Sequence, residues 1–158
     1  MSKLISIIAP CFNEKGNIQA FYDKIKNIFN NKLHEYEYEI IVVDDYSKDG
    51  SVEILEKIAE IDNNFKVIFN SRNYGVHIST FNAIKYAKGD ALIPMLPVDM
   101  QDTPELIVDF IRKWEEGFDI VYGIKKKREE SFFLVTLRNF YYRLVTKISN
   151  EKIPPYVG

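Results

Sequence analysis

The chain has 158 residues, 46% of them hydrophobic and 28% charged, with a formal net charge of −2. That length and balance suit one core-bearing soluble domain and exclude a disordered chain. A single cysteine, Cys11, excludes an intramolecular disulfide and fits a reducing compartment.

The start, "MSKLISIIAPCF", has about seven apolar residues before Asn13 and Glu14, too few for a spanning helix and poorly shaped for a signal peptide. A cytosolic location follows by default. Charge is unevenly spread: residues 1–120 carry 13 Lys and Arg against 20 Asp and Glu, whereas residues 121–158 carry 8 against 3. A basic end of this kind suits contact with phosphates or an anionic membrane face, and equally suits docking on the chain's own acidic body.

The first strand is expected at "LISIIAP", residues 4–10. A helix capped by Asn13 follows, with Ile18, Phe21, Tyr22, Ile25 and Phe29 on one side at spacings of three and four. "YEIIVVDD", 38–45, is the second strand. Ser47 or Asp49 can cap the next helix, which turns Val52, Leu55, Ile58 and Ala59 inward. "FKVIFN", 65–70, precedes a helix over 76–87 that stops at Lys88 and Gly89, a cation followed by the usual left-handed closing residue. "DALIPML", 90–96, leads through Thr103, Pro104 and Glu105 into a fourth helix, with proline at its first position. "FDIVYG", 118–123, is the fifth strand candidate. These runs are rich in β-branched residues without polar alternation, as in strands covered on both faces, and their alternation with helices predicts βαβ units and a mostly parallel sheet.

Residues 131–150, "SFFLVTLRNFYYRLVTKISN", read as a strongly amphipathic helix. Thr136, Asn139, Arg143 and Lys147 form a polar stripe, and Phe133, Leu137, Phe140, Tyr141, Leu144 and Ile148 an apolar one. Packing against the sheet or a partner, and lying in a membrane interface, are both open readings.

In an open parallel sheet, ligands bind outside the carboxyl ends of the strands. Polar clusters fall at four such ends: 10–14, 44–49, 71–75 and 99–102. Any one alone could be turn chemistry. Acids dominate them and repel bare phosphate, so a phosphorylated ligand would need a bridging divalent cation, Mg2+ or Mn2+ by the hardness of the oxygen ligands. "PCFNEKGN" after the first strand is no G-x-G-x-x-G turn, and neither a Walker A loop nor a G-x-S-x-G elbow occurs. His34 and His77 lack partners at metal-ligand spacing, which argues against zinc.

The blocks "SIIAPCFNEKGNI", "YEIIVVDDYSKDGS", "RNYGVHISTFNAIKYAKGDAL", "VDMQDTPELI" and "YGIKKKREESFF" come in an order that resembles family 2 glycosyltransferases of the GT-A fold. The likeness is closest to enzymes of the dolichol-phosphate mannose synthase and bactoprenol glucosyltransferase type, and it spans nearly the whole chain. The resemblance implies an α/β, Rossmann-like nucleotide-diphospho-sugar transferase fold over residues 1–124. A basic amphipathic segment, 125–158, would begin the acceptor- or membrane-proximal region.

It further implies a site. Pro10, Phe12 and Glu14 match the loop that holds base and ribose, Asp44 and Asp45 match the acid pair that reads them, and Gly75 matches a glycine beside the nucleotide. Asp99 and Gln101 match the metal-binding part of a D-x-D-x-Q motif, with Asp99 the catalytic carboxylate, and Asp102, Pro104 and Glu105 match the loop and cap that position it. Lys125, Arg128 and Arg138 match basic positions facing donor or acceptor phosphate; a solvated charge run is the plain reading of residues 125–130. Two positions depart from the pattern. Pro97 stands where the first motif aspartate would be, and Tyr46 where glycine is usual.

The implied activity is inverting, metal-assisted transfer of a sugar from a nucleotide-diphosphate donor to a polyprenyl phosphate at the inner membrane face. No nucleic-acid partner is expected, and oligomerisation is left open. Two alternatives remain: a nucleotide-binding module or inactive shortened transferase, suggested by Pro97, and a family 2 enzyme building a surface polysaccharide on a sugar acceptor. Relatives of this type continue beyond the equivalent of residue 158, so the chain is expected to hold the donor-binding half.

Overall fold

The computed structural model describes residues 2–101 and 103–123. The chain divides into two compact units, Met1–Ile111 and Arg112–Gly158, and the sheet lies wholly in the first. Residues 125–158, including the amphipathic segment and the basic positions Lys125, Arg128 and Arg138, lie outside the described residues, as does Asp102.

Four parallel strands form the sheet: β1 (Leu4–Cys11), β2 (Glu37–Asp44), β3 (Phe65–Phe69) and β4 (Ala91–Ile93). Their spatial order is β3-β2-β1-β4. The chain therefore steps outward from β1 to β3 and then returns to the other side of β1. Crossovers in opposite senses leave a crevice at the carboxyl ends of β1 and β4, the place where such sheets bind ligands.

The helices between them are α1 (Ile18–Lys32), α2 (Ser51–Ile61) and α3 (Val76–Ile84), with α4 (Leu106–Glu115) after β4. α1 buries Ile18, Phe21, Tyr22, Ile25 and Phe29, the stripe its spacing predicts. Each such side chain contributes roughly 1.5–3 kcal/mol by leaving water. Phe29 stacks on Tyr38 at 4.5 Å and Tyr22 meets Phe65 edge-on at 5.6 Å, which places α1 on the sheet face that carries those two rings. α3 covers the opposite face. It turns small residues, Ser79, Thr80 and Ala83, inward, and Ala83 packs on Ile8, Ile41 and Val43.

At the amino-terminal part of the sheet a buried carboxylate joins three strands. Glu39 accepts hydrogen bonds from the Ser6 hydroxyl (2.6 Å), the Lys66 ammonium (2.5 Å) and the Lys88 N–H (2.7 Å). Burial opposes its charge, but these donors prevail and hold its pKa below the ordinary glutamate value. Gly89 donates to the same Ser6 hydroxyl at 2.8 Å, so the entrance to β4 is pinned to β1.

Several boundaries differ from the sequence expectation. Asn13 is not a helix cap: α1 starts five residues beyond it, and Asn13 sits at φ +55° with its side chain serving another loop. α3 ends at Ile84, and 87 is reached only through single turns from Tyr86 to Ala83 and Ala87 to Ile84. Pro104 lies in a turn just ahead of α4, whose first residues bond at i−3 spacing. Glu105 pairs with Lys24 of α1. Residues 118–123 form no strand. They pair with no strand among the described residues, and Phe118, Ile120 and Tyr122 are exposed, Ile120 by 80%.

Candidate functional site

A cleft of about 220 Å3 opens at the crevice between the ends of β1 and β4. Pro10, Cys11, Phe12 and Glu14 form one wall, from the end of β1 and its loop. Asp45 reaches in from the end of β2, and Asn73, Gly75, Val76 and Ser79 come from the loop before α3 and its first turn. Pro97, Val98 and Asp99, beyond β4, close the ring. All four strand ends thus contribute to one site.

The walls are fixed by hydrogen bonds between loops. Asn13 N–H donates to the Ser47 hydroxyl (2.8 Å) and Lys48 N–H donates back to Asn13 Oδ1 (2.8 Å). Glu14 N–H donates to Ser51 Oγ (3.1 Å), Lys15 N–H to Asp49 Oδ2 (2.9 Å), and Asp45 N–H to the Cys11 carbonyl (2.8 Å). Asp49 also takes the N–H and hydroxyl of Ser51, the first residue of α2, through Oδ1. These contacts explain the Asn13 and Asp49 positions: polar side chains that could cap helices instead tie two loops into one rim.

Asp45 fastens the other rim. Only 4% exposed, its Oδ1 accepts from Asn70 Nδ2 (2.9 Å) and Tyr74 N–H (2.8 Å), and its Oδ2 from Gly75 N–H (2.8 Å). Burial works against the charge, yet the Tyr74 N–H, the Asn70 amide, the Ser79 hydroxyl and the Gly75 N–H outweigh it and hold the pKa below the ordinary aspartate value. Gly75 adopts φ +86°, a backbone state open to glycine at little cost, and this turns the chain into α3.

Asp44 is placed differently from its neighbour. Paired in register with Cys11, it is buried, its Oδ2 accepts the Ser47 N–H at 3.0 Å, and its Oδ1 has no hydrogen-bond partner among the described residues. It lies outside the cleft lining. The Cys11 thiol is pushed up to about 12, chiefly by burial and then by the negative charges of Asp44, Glu14 and Asp49, so it stays neutral.

The structure therefore brings Pro10, Phe12, Glu14, Asp45, Gly75 and Asp99 to one cleft. Asp44 and Gln101 do not line it, and Lys125, Arg128 and Arg138 lie outside the described residues. Asp99 Oδ1 accepts the Gln101 N–H at 3.1 Å, a local turn that sets the carboxylate's direction. The sequence reading held Asn73 only as part of the 71–75 cluster and missed Asn70 and Ser79. Their signal was the polar spacing ahead of a helix start, which is common to ordinary turns.

Among the described residues no three His, Cys, Asp or Glu side chains gather closely enough to hold a metal ion unaided. Asp99 is the hard-oxygen donor at the mouth of the cleft, and a cation there would need oxygens from its ligand and from water, a set that Mg2+ and Mn2+ accept. Among the described residues no helix is long and apolar enough to cross a membrane.

Comparison with known proteins agrees with this architecture. The chain is 37% identical over 154 residues to the uncharacterized glycosyltransferase YkcC of Bacillus subtilis, covering 97% of this chain and 47% of that protein. It is 36% identical over 155 residues to the prophage bactoprenol glucosyl transferase homolog of Escherichia coli, covering 98% and 50%. The chain thus spans about half the length of these curated relatives. The mannosyltransferase PcManGT of Pyrobaculum calidifontis, solved in complex with GDP-Man and Mn2+, superposes with a TM-score of 0.58 at 20% identity over 87% of this chain and 39% of that one, a likeness of fold. The model of glycosyl transferase family 2 matches residues 6–157, and the chain belongs to that family.

Proposed function

We propose that this chain carries the donor-binding half of an inverting glycosyltransferase that moves a sugar from a nucleoside diphosphate to a polyprenyl phosphate, assisted by a divalent cation. The observation that carries this reading is the cleft's charge: Glu14, Asp45 and Asp99 line it, with no Lys, Arg or His among its described lining residues. A diphosphate enters such a site only with a cation between it and the carboxylates. Asp99, with Gln101 behind it, would hold that ion, whose contribution is to neutralise charge on the leaving diphosphate. The PcManGT complex with GDP-Man and Mn2+ supports this use of the fold.

The chain's own residues supply position. Phe12, 47% exposed at the rim, offers an aromatic face to a base. Asp45, held ionised, is an acceptor only, so a group placed against it must donate. The bactoprenol glucosyl transferase homolog favours a lipid phosphate acceptor. A phosphate ester, with a second pKa of roughly 6, is largely ionised near neutrality and needs no general base. Its oxygen attacks the sugar C1 while the bond from C1 to the diphosphate oxygen breaks, in line, which inverts the configuration. Lys125, Arg128 and Arg138 are the basic positions proposed to receive the acceptor phosphate, at the inner membrane face.

Calorimetric titration with UDP-glucose and GDP-mannose, with and without Mn2+, tests the donor site. Binding of one of them that depends on Mn2+ is expected; absence of binding by either in every condition overturns the reading.

A further inference from the structure

The helix that opens the cleft carries large apolar side chains on its outer side and small residues on its inner one. At about 100° per residue, His77, Ile78, Phe81 and Lys85 fall within roughly a third of the circumference of α3, opposite buried Ser79, Thr80 and Ala83. Phe81 is 68% exposed, Ile78 55%, and Tyr86, just past the helix, 60%. Large apolar side chains normally mark the covered face of a helix, with small or polar ones outside. Here the order is reversed.

The charge pattern says what the outer face suits. From Asn63 to Gly89 the chain has four cations, Lys66, Arg72, Lys85 and Lys88, and no Asp or Glu, within a body that is otherwise acidic. Lys66 is spent on buried Glu39, and Arg72 lies over the Tyr74 ring at 4.7 Å in the loop that enters α3. Lys85 and Lys88 are exposed and, among the described residues, in no ion pair. An exposed isoleucine and two aromatic rings beside two exposed lysines, with no Asp or Glu in the same stretch of chain, form a surface complementary to an anionic bilayer, whose headgroups take the cations while its acyl region takes the apolar side chains.

We propose that the outer face of α3, formed by Ile78, Phe81, Lys85 and Tyr86 with Lys88, is a docking surface for an anionic lipid bilayer. The proposal rests on the donor-site reading for its purpose: Gly75, Val76 and Ser79 of the same element line the cleft. A bilayer against this helix therefore lies within about two turns, roughly 11 Å, of the site where the donor's sugar would be attacked. Apolar side chains enter the interface, and the two lysines remain at the phosphate level.

The test is co-sedimentation of the chain with phosphatidylcholine vesicles, with and without phosphatidylglycerol, for the wild type, Phe81→Ser, Ile78→Ser and the double variant Lys85→Gln/Lys88→Gln. The chain is expected to partition onto the anionic vesicles and to be released by salt. Either apolar variant should weaken partitioning about tenfold, and the lysine pair should weaken it by more than tenfold, at about fivefold per cation. Circular dichroism and nucleotide titration of each variant, both expected to be unchanged, separate this outcome from misfolding and from failure of the donor site. Wild-type chain that stays in solution with anionic vesicles overturns the proposal. So do variants that bind as well as wild type, which would assign binding to another segment. A dimer in light scattering that Phe81→Ser dissolves would also overturn it, assigning the face to a second copy of the chain.

Discussion

Gly75 donates its backbone N–H to Asp45 Oδ2 at 2.8 Å, so a carboxylate at the end of β2 holds the residue that opens α3. With Tyr74 N–H and Asn70 Nδ2 on its other oxygen, one buried side chain sets the distance between two walls of the cleft. Replacement by Asn puts an NH2 group against either the Gly75 N–H or the Tyr74 N–H with the Asn70 amide, so donor meets donor at one of the two positions. Asp45→Asn is expected to lose about 2 kcal/mol of stability, the scale for hydrogen bonds to a charged acceptor. It should also weaken nucleotide binding, because the 70–75 loop loses its anchor. Urea unfolding and nucleotide titration of the same preparation measure both.

The same residue gives a pH dependence with a defined sign. The folded pKa values of Asp45 and Glu39 lie below their ordinary values, so folding favours the ionised forms. Their contribution is complete above the unfolded carboxylate range of about 4 and is lost as pH falls through the folded values. The urea midpoint of the wild type should hold steady from neutrality to that range and drop below it. Asp45→Asn should show a shallower drop; an identical slope would remove Asp45 from the account.

Asp99 sits on the rim and contributes little to the core. Asp99→Ala is expected to abolish the Mn2+-dependent part of nucleotide binding while changing stability by no more than about 0.5 kcal/mol, as for surface substitutions generally. Unaltered Mn2+-dependent affinity would reject the role assigned to this carboxylate.

Gly89 tests the pin at the entrance to β4. A Cβ there would come within 2.6 Å of the Ser6 backbone nitrogen and 2.7 Å of its hydroxyl oxygen. Backbone cannot yield cheaply, so Gly89→Ala should cost about 1–3 kcal/mol and separate Ser6 from the Glu39 cluster. A lower melting temperature with donor affinity intact is the expected pattern, since the clash lies far along the strands from the cleft.

Tyr46 adopts φ +70°, a left-handed conformation that a residue with a Cβ enters at a cost of roughly 1–2 kcal/mol. Lys48 lies over its ring at 3.5 Å, an exposed cation–π contact that offsets roughly 0.5–1 kcal/mol of this. Tyr46→Gly should therefore raise stability by about 0.5 kcal/mol, less than the strain alone would suggest. Thermal unfolding of this variant beside Lys48→Ala separates the two terms.

Much of the architecture was legible in the residues themselves. Runs such as Ile40 to Val43 have no polar alternation because both sheet faces are covered, and the stripe from Ile18 to Phe29 could bury itself only as a helix. The ordering of polar clusters at strand ends likewise follows from chain order, and six residues within them that the family resemblance singled out line one cleft. Tertiary structure decided what local chemistry left degenerate. Asn13 could cap a helix or bridge loops, and the bridge won because Ser47 and Lys48, 34 and 35 residues away, came within bonding distance. Residues 118–123 have the composition of a strand but no ladder partner among the described residues, and a strand is stable only through the neighbour that satisfies its backbone. Asp44 and Asp45 are chemically identical and adjacent, yet one is buried beside the last rung of β1 while the other anchors the loop before α3. Which of two equal side chains meets the cleft depends on strand register and on donors brought from distant positions, and neither exists until the sheet has formed.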